Sequence, residues 1–277
     1  MERFDKICHD IKTLKIQGAG NVARAAAEAL LIRHDKNAIK KLISLRPTEP
    51  YLRNTIKFVT SHKDISQGVS RVLAHFDLAQ EKIAEIGSKL IENGMTIFTH
   101  CHSNTVMQIF LKAKKQGKKF NVVCTETRPL FQGRITASQL AKAKIPVTLY
   151  VDSAARVALK KADIAFFGCD AITPTKIYNK IGSEMFAIMA EQREVPLYIA
   201  TDSWKFDPES IYGNEEKIEM RDTKEIWERP PKGVKISNPS FEKIDPKLVT
   251  GVISELGLLM KEALVESIRS QYPFIFR

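Results

Sequence analysis

The chain has 277 residues, a formal net charge of +11, and 44% hydrophobic and 27% charged residues. That length supports a sizeable core in one large domain or two modest ones. No apolar run approaches the ~20 residues a membrane span needs, which excludes a helical membrane protein.

The N-terminal stretch MERFDKICHDIKTLK is charged and amphipathic and lacks a signal-peptide pattern. Residues 1 to about 93 read as helices. Apolar residues recur at three- and four-residue spacing, as in Ile7, Ile11, Leu14, then Val22, Ala26, Leu30, and later Val72, Leu73, Phe76, Ile83. RPTEP at Arg46–Pro50 reads as a turn. The pattern changes at Gly94. Predicted strands cover Met95–His100, Phe120–Thr125, Pro146–Val151, Ala162–Phe167 and Pro196–Thr201, with one further candidate at Val234–Ser237. Predicted helices alternate with them at Asn104–Gln116, Thr136–Ala143, Ser153–Lys161 and Ser183–Glu194, and a last helix spans Lys261–Gln271. Apolar strands alternating with helices predict a parallel sheet covered on both faces. The fold class is therefore α/β: an N-terminal all-helical domain, residues 1–93, and a doubly wound, mostly parallel domain, residues 94–277.

The four cysteines, Cys8, Cys101, Cys124 and Cys169, form no C-x-x-C pair. Their separation argues against a zinc or disulfide framework and fits a reducing cytoplasm. Cys101 lies between His100 and His102, but neighbours on a strand point to opposite faces, so no metal is expected there. The basic run KAKKQGKK at Lys112–Lys119 reads as a solvated helix end, with an anionic partner as the alternative. No aromatic-interleaved nucleic-acid motif accompanies it.

Ligands of such sheets sit beyond the C-terminal ends of the strands. There the sequence places His100–Thr105, Thr125–Pro129 with Gln132–Arg134, Asp152-Ser153, Cys169-Asp170 and Thr201–Lys205. Each has a plain alternative. Cys101 is a small buried hydrophobe, or a thiol whose pKa a helix N-terminus lowers. Asp170 shapes a turn, or is an acid facing that thiol. Lys180 and Lys205 are solvated or grip an anion, with Asn179-Lys180 standing just before a glycine and a helix. Arg128 pairs with Glu126 or meets a ligand. Gly18–Gly20, within IQGAGNVARAAAEAL, makes a tight turn or cradles a phosphate with its N–H groups. It is no dinucleotide fingerprint, because no strand precedes it.

The motifs GAGNVARAAAEAL, THCHSN, TETRPLFQGRITA, VDSA, GCDAIT, NKIGS and SWKF occur in that order. Together they resemble the family that joins the alpha, beta and delta regulatory subunits of translation initiation factor 2B with isomerases of methylthioribose 1-phosphate and ribose 1,5-bisphosphate. The resemblance covers nearly the whole chain. It implies a helical domain before a Rossmann-like domain, a dimer as the basic unit, and no cofactor. It implies Cys101 and Asp170 as the catalytic pair of the isomerase branch. It implies ligand contacts from Gly18, Ala19, Gly20, Arg53, Gln132, Asn179, Lys180 and Lys205, with Arg128 as an additional one. Two departures stand out: Gln17 replaces an arginine usual in the isomerases, and His102 replaces an asparagine. The regulatory subunits commonly lack the catalytic Cys or Asp, and this chain keeps both. The first expectation is an archaeal, cytoplasmic, homo-oligomeric regulatory-subunit-like protein. It would bind initiation factor 2 through its alpha subunit, with a nucleotide or sugar phosphate as a regulatory ligand. The alternative is an aldose–ketose isomerase of a pentose 1-phosphate, with Asp170 as general acid and the Cys101 thiolate either as base or as stabiliser of the migrating hydrogen's transition state.

Overall fold

The computed structural model describes residues 2–46, 49–213 and 218–276. Five helices fill the first third: α1 (Arg3–Lys12), α2 (Ala19–Ile32), α3 (Lys36–Leu45), α4 (Pro50–Thr60) and α5 (Ile65–Lys89). Helix α3 starts where the Asp35 carboxylate accepts from the amides of Asn37 and Ala38 at 2.9 and 3.1 Å. Those are donors that a helix N-terminus leaves unpaired. In α5 the buried residues Val69, Val72, Phe76, Ala79 and Ile83 follow the three-four spacing of one helix face.

The chain then alternates β1 (Thr96–Thr99), α6 (Asn104–Lys115), β2 (Asn121–Thr125), α7 (Gln132–Lys142), β3 (Val147–Tyr150), α8 (Ala155–Leu159) and β4 (Ile164–Phe167). After these come β5 (Ala171–Ile172), β6 (Ile177–Lys180), α9 (Ser183–Glu191), β7 (Leu197–Ala200), β8 (Phe241–Ile244), β9 (Gly251–Ser254), β10 (Gly257–Leu259) and α10 (Lys261–Gln271). The main sheet has seven strands in the order β10-β9-β7-β4-β1-β2-β3, parallel except for β10. All four residues of β4 are buried, as a strand covered on both faces requires.

Strand order reverses between β1 and β4: β2 lies on one side of β1 and β4 on the other. The loops leaving these two strands diverge there and open a crevice. Thr99 of β1 pairs in register with Phe166 of β4. Cys101 follows two residues after the first, and Asp170 four after the second, so topology brings their loops together at the switch point.

Two expectations are corrected. Val234–Ser237 is not a strand. Val234 is 47% exposed, and Pro231 and Pro239 bracket the segment, so it has neither a core to face nor a free run of amide donors. The strand of this region is β8, whose Phe241 and Ile244 are buried. Asn179 and Lys180 stand just before Gly182 and α9, as the sequence suggests, and they belong to β6, which pairs with β8 through Asn179↔Glu242 and Lys180↔Phe241. Together with β5 they form a small three-stranded antiparallel sheet beside the crevice. The helix expected over Ser153–Lys161 is a 3-10 turn followed by the short α8.

One buried apolar cluster runs from Phe4 and Leu30 through Phe167 and Trp204 to Ile275, shared by the helical part and the sheet. The Trp204 ring stacks on His75 at 4.1 Å and meets Phe58 and Phe274 at 4.9 and 4.8 Å. Among the described residues, no helix is long and apolar enough to cross a membrane.

Candidate active site

A cavity of ≈ 400 Å³ lies at the switch point, in the size range of small-molecule sites. Its walls include Gly18, Ala19 and Gly20 at the start of α2, Cys101 after β1, Gln132 at the start of α7, Asp170 after β4, Asn179 and Lys180 of β6, and Lys205 after β7. Nine of the eleven residues singled out from sequence therefore share one cavity. Arg53 and Arg128 do not line it. The Arg53 guanidinium lies 3.3 Å from Asp207. Arg128 covers the Phe131 ring at 4.9 Å and donates to the Ile226 carbonyl at 3.3 Å. Glu126, its expected partner, is held instead by Arg134 at 2.8 Å.

Cys101 has a left-handed backbone, with φ of 66°. Hydrogen bonds hold it on both sides. Its amide donates to Thr127 Oγ1 at 3.0 Å, and its carbonyl accepts from Thr136 Oγ1 at 2.8 Å. Burial pushes the thiol up to about 11, opposed first by Lys180. The lowered pKa expected from the neighbouring helix start is thus reversed: desolvation of a thiolate outweighs the local charges. The α6 terminus also has a cap of its own, Ser103 Oγ accepting from the Val106 amide at 3.3 Å.

Asp170 is raised above the ordinary carboxylate range by burial, against the pull of Lys205, then Lys180 and Arg46. A carboxyl that resists ionisation beside cations suits a proton donor. No ion pair joins Asp170 to Lys180. Lys180 lies 5.0 Å over the Phe241 ring, and Lys205 donates to the Cys169 carbonyl at 2.6 Å. Asn179 donates to Ser183 Oγ at 2.9 Å. Gln132 presents a buried Oε1 without a hydrogen-bond partner. At the start of α2, Gly18 has φ of 84° and no side chain caps the helix amides.

Sequence reasoning missed a charged wall. Arg46 contacts Glu49 at 2.7 Å and Glu219 at 3.4 Å, and Arg221 contacts Glu219 at 3.2 Å and Glu225 at 2.5 Å. All five line the cavity. Glu49 is 1% exposed, and its Oε2 has no partner. RPTEP offered only a turn, and the charges of residues 219–225 follow no helix or strand period, so neither carried a signal that they meet.

His100 is fully buried and held neutral, with its pKa lowered by burial to about 4. At one edge of the cavity, which Asp202 lines, His75, Asp202 and Glu255 are spaced as metal ligands could be. Protein donors already occupy these carboxylates: Tyr51 Oη donates to Asp202 at 2.8 Å, and the Ser203 amide to Glu255 at 3.1 Å. A cation would have to displace them.

The sequence matches the Initiation factor 2 subunit family over residues 12–261. It is 38% identical over 283 residues to the ribose 1,5-bisphosphate isomerase of Methanocaldococcus jannaschii, covering 94% of this chain and 92% of that protein. It is 34% identical over 307 residues to that of Pyrococcus furiosus, covering 98% and 95%. Among solved structures, the translation initiation factor eIF-2B of Pyrococcus horikoshii OT3 superposes with a TM-score of 0.84 at 28% identity, covering 94% of this chain and 98% of that one.

Proposed function

Because the chain belongs to the Initiation factor 2 subunit family, we propose that it is an aldose–ketose isomerase of a pentose 1-phosphate, with ribose 1,5-bisphosphate as the first candidate. The observation that carries this reading is the pairing of Cys101 and Asp170 in one cavity with Arg46, Lys180 and Lys205. It reorders the expectations from sequence. The isomerase alternative moves ahead of the regulatory-subunit reading, because the two isomerases above match over nearly their full lengths.

The chemistry follows from the groups present. Protonated Asp170 donates to the ring oxygen of the furanose. The C1–ring-oxygen bond breaks and its electron pair goes to that oxygen, leaving an oxocarbenium at C1 next to the phosphate ester. The C2 hydrogen leaves as a proton, and its pair forms a C1–C2 double bond. C1 then takes up a proton while the C2 hydroxyl proton returns to the Asp170 carboxylate, giving a C2 ketone. No atom is gained or lost. Cys101 is assigned to the hydrogen that migrates between C2 and C1. Arg46, Lys180 and Lys205 supply the charge that phosphates need, and Gln132 Oε1 accepts from a sugar hydroxyl.

The regulatory reading keeps one observation in its favour: the cavity wall carries Gln17 where the isomerases usually have arginine. The test is turnover. Incubation with ribose 1,5-bisphosphate should yield the 2-ketose, with methylthioribose 1-phosphate as the competing substrate. Inertness toward both, together with a salt-resistant complex with initiation factor 2, would instead favour the regulatory reading.

A further inference from the structure

The cavity lies at the C-terminal rim of the main sheet. The opposite rim, where helices end and strands begin, has a character of its own. Lys114 and Lys115 close α6, and Lys119 stands just before β2. Lys142 closes α7, and Lys144 follows it ahead of β3. Lys160 and Lys161 lie between α8 and β4. All seven are exposed, and none forms an ion pair among the described residues. Two carboxylates stand among these turns, Glu92 and Asp163, and Asp163 accepts from the Thr96 amide at 2.8 Å.

The turns that carry the lysines are tied together. The Gly94 amide donates to the Lys119 carbonyl at 2.7 Å, the Val122 amide to the Pro146 carbonyl at 2.9 Å, and the Asp163 amide to the Thr96 carbonyl at 2.8 Å. The starts of β4, β1, β2 and β3 are thus held side by side in sheet order. Three inter-strand spacings set the outer turns about 14 Å apart. A helix dipole accounts for a cation in a last turn, such as Lys142. It does not call for Lys119 or Lys161, which lie beyond their helices. Lys144 even takes a left-handed backbone, with φ of 56°, where glycine would be less strained.

What this face fits is decided by what it lacks. Among the described residues, none of the exposed large apolar side chains lies in these turns. Protein interfaces are depleted in lysine and rest on aromatic or apolar anchors. Membrane-surface segments insert apolar side chains, and single-strand binders stack bases on aromatic rings. The backbone of a duplex needs only charge. At 3.4 Å of axis per phosphate, one strand sets about four phosphates along the ~14 Å between the outer turns.

We propose that this lysine rim binds the phosphodiester backbone of a nucleic-acid duplex without reading its sequence. RNA and DNA duplexes share that chemistry. The inference is independent of the isomerase reading, because the cavity lies at the other ends of the strands and binding is measured without turnover.

The test is fluorescence anisotropy with RNA and DNA duplexes of mixed sequence across a salt series. The proposal predicts a log K against log salt slope of about −4, a loss of more than about 100-fold between about 50 and 200 mM salt. A variant carrying Lys114→Gln, Lys115→Gln and Lys119→Gln should make that slope shallower by about 2–3. A control carrying Lys12→Gln, Lys36→Gln and Lys40→Gln removes the same charge from the helical part and should keep the wild-type slope. Circular dichroism confirms that both variants are folded. Binding of both duplexes, or of one alone, with this dependence on the rim lysines supports the proposal and says which source serves. No duplex binding at about 50 mM salt, where such contacts are strong, overturns it. An equal loss in the control variant also overturns it, since net charge alone would then explain the binding. Rim-dependent binding of polyglutamate or of phosphatidylserine vesicles in place of the duplexes overturns it in favour of an acidic protein or a membrane surface.

Discussion

At the residue scale, the site is governed by what burial does to individual protons. Asp170 is pushed up, which favours its proton-donating form; Cys101 is pushed up and stays a thiol; His100 is pushed down and stays neutral. Replacing Asp170 with Asn keeps the volume and removes the proton, so Asp170→Asn should lower kcat by about 100-fold or more while phosphate affinity survives. Steady-state kinetics beside calorimetric binding checks this. His100 makes a separate prediction about stability. An unfolded imidazole protonates near 6.5, whereas folded His100 does so near about 4, so between these values the unfolded state binds the extra proton. Stability from this group is fully present above about 6.5 and is lost as pH falls through about 4, on the order of 3 kcal/mol in all. Urea unfolding at neutral and acid pH should show this slope in wild type and a flatter one in His100→Gln.

At the element scale, the loops after β1 and β4 make the site, and α7 locks the neighbouring wall. Gly133, near the start of α7, sits so close to β2 that a Cβ there would lie 1.7 Å from the Thr125 carbonyl oxygen. Gly133→Ala must push α7 off the sheet and should cost about 1–3 kcal/mol or more. Chemical denaturation measures the loss, and Gln132 and Thr136 should lose their alignment with it. Much of this scale was legible in the sequence. Alternating apolar runs marked β1, β2, β3, β4 and β7, and the last helix falls where its periodicity placed it. What escaped were elements without such a period. Strand β6 carries Asn179 and Lys180 in a polar guise, and it is a strand because β8, more than sixty residues later, pairs with it. The charged wall from Arg46 to Glu225 is likewise made by meetings across long stretches of chain, which local spacing does not record.

At the scale of the whole molecule, the boundary near residue 93 divides elements but not the core. Trp204 leaves the sheet side and packs among Phe58 of α4, His75 of α5 and Phe274 near the C-terminus. Lys57 of α4 also donates to the Ile275 carbonyl at 3.0 Å. The helical part and the sheet should therefore unfold in one cooperative transition, and Trp204→Ala should lower it as a whole by about 3–5 kcal/mol. Calorimetry that resolved two transitions, only one of them shifted by the substitution, would contradict this coupling. The same seam matters for the site, because Arg46 and Glu49 reach the cavity from the helical side and Asp170, Lys180 and Lys205 from the sheet side.

The claim on which the account turns is that this cavity converts a pentose 1-phosphate. Carbon-13 NMR of ribose 1,5-bisphosphate labelled at C1 tests it most directly, with wild type and Asp170→Asn run in parallel. The account predicts that the anomeric signal decays as a ketose C1 signal grows with wild type, and that the variant slows this by about 100-fold or more. An anomeric signal that persists unchanged with folded wild-type protein, or one that decays equally fast with Asp170→Asn, would contradict it.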